Sequence, residues 1–171
     1  MLVNNIFNNI KIHTQYSICE GAIKIDELAE YCKAKKIRCL GLADNYNLCG
    51  ALEFSEKLSK AGTQPIIGTQ INLKEDNIIG KITLYAKTED GYKNLTKLSS
   101  LSYLKSNEDE EPACSLTDLI KNNKDLILFD LQYIARSSIL IAPSQIEYCV
   151  CIFILLKVLL LASTHTFYIT V

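Results

Sequence analysis

Between residues 6 and 131 short apolar runs alternate with amphipathic segments, and this rhythm leaves few folds open to the chain. Short strands followed by helices with one apolar stripe are the units of α/β architectures built on a mainly parallel sheet. Residues 9–13 (NIKIH) read as a first short strand. After Lys24 the apolar Ile25, Leu28, Ala29 and Cys32 fall at helical spacing. Asp26 and Glu27 in its first turn and Lys33, Lys35 and Lys36 in its last complement the helix dipole. Residues 38–43 (RCLGLA) read as a buried strand. Residues 51–61 read as a helix carrying Leu52, Phe54, Leu58 and Ala61, stopped by Gly62 in the left-handed conformation that helix ends favour. Residues 65–73 and 81–86 predict two more strands turned at Asp76-Asn77, and residues 92–104 another helix. Residues 106–112 (SNEDEEP) form an acidic loop, read as solvated surface. Ser115 with Asp118 predicts a capping box for a short helix, and residues 125–129 (DLILF) the next strand.

The rhythm stops after about Asp130. Charge becomes rare, and residues 148–163 (YCVCIFILLKVLLLAS) are nearly continuous hydrocarbon. A membrane span needs about 20 apolar residues, and a lysine at its centre, here Lys157, costs about 2.5–3.5 kcal/mol. A membrane anchor is therefore not expected; a buried helix and the product of a shifted reading frame are the other readings. The expected division is a partial domain over residues 1–130 and an apolar tail, irregular or helical, over residues 131–171. Eighteen basic against nineteen acidic residues give a net charge of −1, which supplies no positive field to grip DNA. Seven cysteines without a C-x-x-C pair suit neither a disulfide framework nor a zinc ribbon, and the N-terminus lacks the features of a secretory signal. A cytoplasmic setting is the expectation. No G-x-S-x-G elbow and no G-x-x-x-x-G-K-[ST] loop is present.

Three segments carry more specific information: residues 10–54, residues 60–73 and residues 81–104. In order they hold His13-Thr14, Tyr16-Ser17, Glu20-Gly21, Lys24 to Leu28 (KIDEL), Asp44, Asn47-Leu48-x-Gly50, Pro65 to Gly68 (PIIG) and Gly91 to Leu95 (GYKNL). This series resembles the polymerase-and-histidinol-phosphatase (PHP) domain of bacterial DNA polymerase III alpha subunits, whose pattern runs His-x-His-[Ser/Thr], aromatic-Ser, acidic-Gly, Lys-Ile-Asp-Glu-Leu, Asp-His, Asn-Leu-x-Gly and Pro-Ile-Ile-Gly followed by Glu. The resemblance implies part of a distorted β/α barrel. A complete barrel takes about 250 residues, so an open sheet edge is expected.

PHP domains that are enzymes hold divalent metals with His, Asp and Glu side chains, and metal-bound hydroxide attacks a phosphoester. By motif position, the resemblance places Lys11, Asn45, Gln70 and Lys81 where ligands stand in the family, and leaves His13, Glu20 and Asp44 as remnants. An ammonium in a cation site repels the ion it replaced, so no metal cluster and no catalytic residue is expected. Lys11 and Lys81 are instead expected to pair with Glu20 or Asp44. Read from the residues alone, His13 is hydrogen-bonded structure, Asp44 caps the turn that follows it, and Cys49 is a small packing residue. The resemblance further implies a fragment of a replicative polymerase, truncated ahead of the domain in which the family binds magnesium for nucleotidyl transfer and inactive by itself. Its partners would be the remaining polymerase domains and a proofreading exonuclease subunit. The alternatives are a free-standing metal-dependent phosphoesterase and a small membrane-anchored binding protein.

Overall fold

The computed structural model describes residues 9–75, 78–107 and 109–133. They fall into two compact units divided between Gln70 and Ile71. The turn expected at Asp76-Asn77 and residues 134–171, with most of the apolar tail, lie outside the described residues.

The first unit contains α1 (Ile25–Lys35), β1 (Cys39–Asn45), α2 (Ala51–Lys60) and the first part of β2 (Gln64–Lys74). β1 and β2 pair in parallel from Cys39↔Gln64 to Asn45↔Gln70. The strand expected over residues 9–13 is reduced to isolated bridges, Ile12↔Leu42 and Thr14↔Ile23. Ile12 bonds to β1 through both of its backbone groups, its N–H donating to the Gly41 carbonyl at 2.9 Å and its carbonyl accepting the Ala43 N–H at 2.8 Å, while the Lys11 N–H turns to the Asn9 side chain at 3.0 Å. The segment still lies against β1, because Gly41 admits it: a Cβ there would stand 2.0 Å from the Ile10 carbonyl oxygen. α1 and α2 pack together over a core of Ile12, Ile25, Leu28, Cys32, Leu40, Leu42, Ala51, Phe54 and Leu58. Full burial of Phe54 or Leu58 contributes about 1.5–3 kcal/mol each. Leu52, expected on this apolar stripe, is 71% exposed. At 100° per residue it stands well off the line through Ala51, Phe54 and Leu58. Lys36 is not in the last turn of α1 but caps it at φ 53°, and Gly62 is left-handed at φ 81°, as expected.

The second unit contains the end of β2, then β3 (Ile78–Ala86), α3 (Glu89–Leu104), β4 (Ala113–Ser115), α4 (Leu116–Lys121) and β5 (Leu126–Tyr133). β4 pairs in parallel with the end of β2, and β3 pairs antiparallel with β5, with an irregularity between Thr83 and Leu84. The sheet is mixed where the sequence predicted a mainly parallel one. Three residues separate β2 from β3, too few for the crossover that parallel neighbours require. The fold class is α/β, as expected. α3 begins three residues before the expected start because Thr88 caps it, accepting the Gly91 N–H at 3.2 Å. Gly91 is needed there, since a Cβ would stand 2.1 Å from the Asp125 carbonyl oxygen. Ser115 caps α4, as the capping box predicted. The acidic loop is tied down at two points: Lys74 Nζ donates to Glu110 at 2.5 Å and Asn72 Nδ2 to Glu111 at 2.9 Å. Among the described residues no helix is long and apolar enough to cross a membrane.

Candidate functional site

The candidate site lies in the first unit, where β1 ends. Successive side chains of a strand point to opposite faces, and the last two residues of β1 divide accordingly. Asp44 is fully buried. Its Oδ1 accepts the backbone N–H of Thr14 and its Oδ2 the Thr14 hydroxyl, both at 2.6 Å. Burial pushes the Asp44 carboxyl above its ordinary range, against the two Thr14 hydrogen bonds and the charge of His13. Gly50, which caps α2, leaves room for this arrangement: a Cβ would stand 2.7 Å from the Tyr16 ring and 3.4 Å from Asp44 Oδ2.

Asn45 faces the other way. Its backbone N–H donates to the Ser17 hydroxyl at 3.1 Å and its Nδ2 donates to Glu20 Oε2. Its remaining amide atom, Oδ1, is buried with no hydrogen-bond partner among the described residues, a cost of about 1–3 kcal/mol. His13 Nδ1 stands 3.5 Å from the Ser17 hydroxyl. Gly21 lets the loop close, because a Cβ would come within 2.1 Å of the Thr14 carbonyl oxygen. Within that loop Ser17 N–H donates to Thr14 O, and the N–H groups of Glu20 and Gly21 donate to Ser17 O, at 2.9 to 3.1 Å.

A second polar chain braces the loop from outside. The Tyr16 hydroxyl donates to Glu53 at 2.7 Å, Lys57 reaches Glu53 at 2.6 Å, and Lys57 also reaches Asp26 at 2.5 Å. The hydrogen bond to Glu53 raises the Tyr16 phenol above its ordinary value. The bond from Lys57, then that from Tyr16, holds the Glu53 carboxyl below its own.

The structure thus separates the three remnant positions. His13, Glu20 and Asn45 meet around Ser17, whereas Asp44 turns to Thr14 and caps no turn. Asn47 does that: its Oδ1 accepts the Cys49 N–H at 3.0 Å while its Nδ2 donates to the carbonyls of Tyr16 and Asn45 at 2.9 and 2.8 Å. Cys49, expected as a packing residue, is exposed. Among the described residues the hydrogen bonds of the Asp44 carboxylate come from Thr14. Gln70 is 2% exposed and in register with Asn45, so the two share a face of the sheet. Lys81 lies inside β3 of the second unit and pairs with Gln132 rather than opening the strand. Among the described residues no three His, Cys, Asp or Glu side chains converge as a metal site requires. With amides at Asn45 and Gln70 and a lysine at Lys11, the donor set of the first unit does not fit a divalent cluster. Thr14, Ser17, Asn47 and Gly50 emerge as the residues that build the site, and the signal for each was already present in the motif series.

A family model, the PHP domain, matches residues 9–147. The DNA polymerase III subunit alpha of Rickettsia felis is 39% identical over 122 residues, which are 71% of this chain and 10% of that protein. The same subunit of Caulobacter vibrioides is 36% identical over 135 residues, and that of Vibrio cholerae 32% over 125, each covering 71% of this chain and 11% of the relative. The chain spans about a tenth of the length of these curated relatives. Among solved structures, a Bifidobacterium adolescentis protein assigned as a metal-dependent phosphoesterase shares the fold at a TM-score of 0.54 and 12% identity, over 95% of this chain and 85% of that one.

Proposed function

Because this chain belongs to the PHP domain family, we propose that it acts as the PHP region of a replicative DNA polymerase III alpha subunit in a structural role, and not as a phosphoesterase. In this role it braces the polymerase domains and docks a separate proofreading exonuclease in the cytoplasm. The relatives named DNA polymerase III subunit alpha support the setting. The observation that carries the structural role is the state of the ligand positions. Lys11, Asn45, Gln70 and Lys81 replace ligands, Glu20 accepts from the Asn45 amide, and Asp44 faces Thr14. Water activation by a metal needs several N or O ligands around one ion with a position left open, and a phosphoesterase role lacks that set here. Template-directed nucleotide addition, with its magnesium, belongs to other domains of such a subunit. With a net charge of −1 the chain contributes no grip on DNA.

The test has two arms. The full chain is assayed for hydrolysis of a chromogenic phosphate ester with Mn²⁺, Zn²⁺ or EDTA, and for co-elution with a separately produced exonuclease subunit and the rest of the polymerase. The expected result is no metal-dependent hydrolysis and a stable complex with one of those partners. Metal-stimulated turnover that Glu20→Gln abolishes would restore the phosphoesterase reading; absence of any complex would remove the docking role.

A further inference from the structure

One end of the first unit carries positive charge that its own contacts leave unbalanced. α1 ends at Lys35 and α2 at Lys60, and each leads into a strand, β1 from Cys39 and β2 from Gln64. The Ile37 carbonyl accepts the Thr63 hydroxyl and the Arg38 carbonyl the Gln64 N–H, both at 2.8 Å, while the Thr63 N–H closes on the Leu58 carbonyl at 2.9 Å. These bonds gather Lys33, Lys35, Lys36, Arg38 and Lys60 at one pole, where the parallel strands begin and not where β1 ends at Asp44 and Asn45. All five residues are exposed. Among the described residues none of them takes part in an ion pair, and Glu30 and Glu56, a turn back on the two helices, meet none of them. Lysines near a helix end complement its dipole, but each end supplies only about half a negative charge. Two helix ends therefore balance about one of the five cations.

We propose that this pole is a docking surface for a short acidic segment of a partner polypeptide, whose Asp and Glu side chains pair with the five cations. The charge around the pole limits the length of what binds. Of the eighteen basic residues five sit here, which leaves thirteen against nineteen acidic residues for the rest of the chain. A nucleic acid, held by neutralising many phosphates in succession, would run off the pole on to a surface of its own sign. A short run of carboxylates ends within it. Tyr31, 56% exposed and one turn before Lys35, adds an aromatic surface beside the cations, and Tyr and Arg are the side chains that most often anchor protein interfaces. Complementary charge of this kind governs the association rate and the choice of partner. The proposal goes beyond the structural role given above and does not rest on it.

The experiment is fluorescence anisotropy of labelled octaglutamate titrated with the full chain. Binding is expected at low salt and weakens by about tenfold in about 0.5 M salt. Lys35→Glu, Arg38→Glu and Lys60→Glu together weaken it by about tenfold. Reversed charge at a helix end also disturbs the helix; if that set shifts the urea midpoint, the neutral set Lys35→Gln, Arg38→Gln and Lys60→Gln decides, with an expected loss of about fivefold. Lys93→Gln, Lys97→Gln and Lys124→Gln, three exposed lysines of the second unit, leave binding within about twofold of wild type. No binding at low salt, or an equal loss from the second-unit set, overturns the proposal. So does a short DNA duplex that binds the wild type more tightly than the peptide and is released by the same three substitutions, which would make the pole a phosphate site.

Discussion

Removing the Asp44 carboxylate tests the deepest contact of the site. Asp44 and Thr14 are both fully buried, and the carboxylate accepts two hydrogen bonds of 2.6 Å from the Thr14 N–H and hydroxyl. Hydrogen bonds to a charged group contribute about 1.5–3 kcal/mol each. In Asp44→Ala both Thr14 donors stay buried without an acceptor, while the desolvation of the carboxylate, the cause that lifts its pKa, is relieved. The two effects oppose each other and leave a net loss of about 2–4 kcal/mol. Thr14→Val removes only the hydroxyl, about 1–2 kcal/mol, and the double variant falls short of additivity by about 1 kcal/mol because both changes break the same bond. Asp44→Asn isolates the charge. An Asp whose folded-state pKa lies above its unfolded value of 3.8 contributes stability that is fully present below that value and is lost as pH rises through the folded pKa. The asparagine has no such group, so its deficit against wild type shrinks as pH rises from the unfolded value of 3.8 through the folded one. Urea unfolding of the full chain followed by circular dichroism, from acid to neutral pH, measures wild type and all four variants. A cost for Asp44→Ala below about 0.5 kcal/mol, or an asparagine deficit that grows with pH, refutes the reasoning.

Two further contacts are open to the same kind of test. Gly21→Ala places a Cβ 2.1 Å from the Thr14 carbonyl oxygen and must move backbone, a loss of more than about 3 kcal/mol; Gly62→Ala, in open space at φ 81°, loses only about 1–2 kcal/mol, and urea midpoints separate the two. In the second unit, Asp118 receives Lys105 Nζ on both oxygens at 2.7 Å and the Ser115 hydroxyl at 2.7 Å. Burial raises its carboxyl, but these bonds outweigh it and hold the pKa below its unfolded value of 3.8. That contribution is present above the unfolded value and lost as pH falls through the folded one, so Asp118→Asn is expected to lose about 1–2 kcal/mol near pH 7 and to converge on wild type in acid, read by thermal melts.

The sequence made the helices legible because each carries its own punctuation. The Gly62 stop and the Ser115 cap were found in their expected roles, and the Thr88 cap with Glu89 and Asp90 behind it was there to be read although the expected start was Tyr92. Strands were read less well, since pairing is a property of partners that pattern alone does not reveal. A strand as short as β4 has no periodicity to detect. The candidate site shows the same limit. The position of Asp44 beside Asn45 marked both as one site, but strand alternation turns them to opposite faces, and only the strand's course decides which of the two meets Glu20.

Sorting the motif residues by what they touch separates scaffold from chemistry. Thr14, Tyr16, Ser17, Gly21, Asn47, Gly50 and Gly91 each fill a hydrogen bond or a close approach that another side chain would break. Asn94 is of the same kind, donating to the Lys124 carbonyl at 3.0 Å across from the Gly91 contact with Asp125. The positions that depart from the family's pattern, Lys11, Asn45, Gln70 and Lys81, are those whose purpose there would be to bind an ion. Asn45 is where the two sets meet. It departs from the family's pattern, yet it bonds to Ser17 of the scaffold set and to Glu20 of the remnant set.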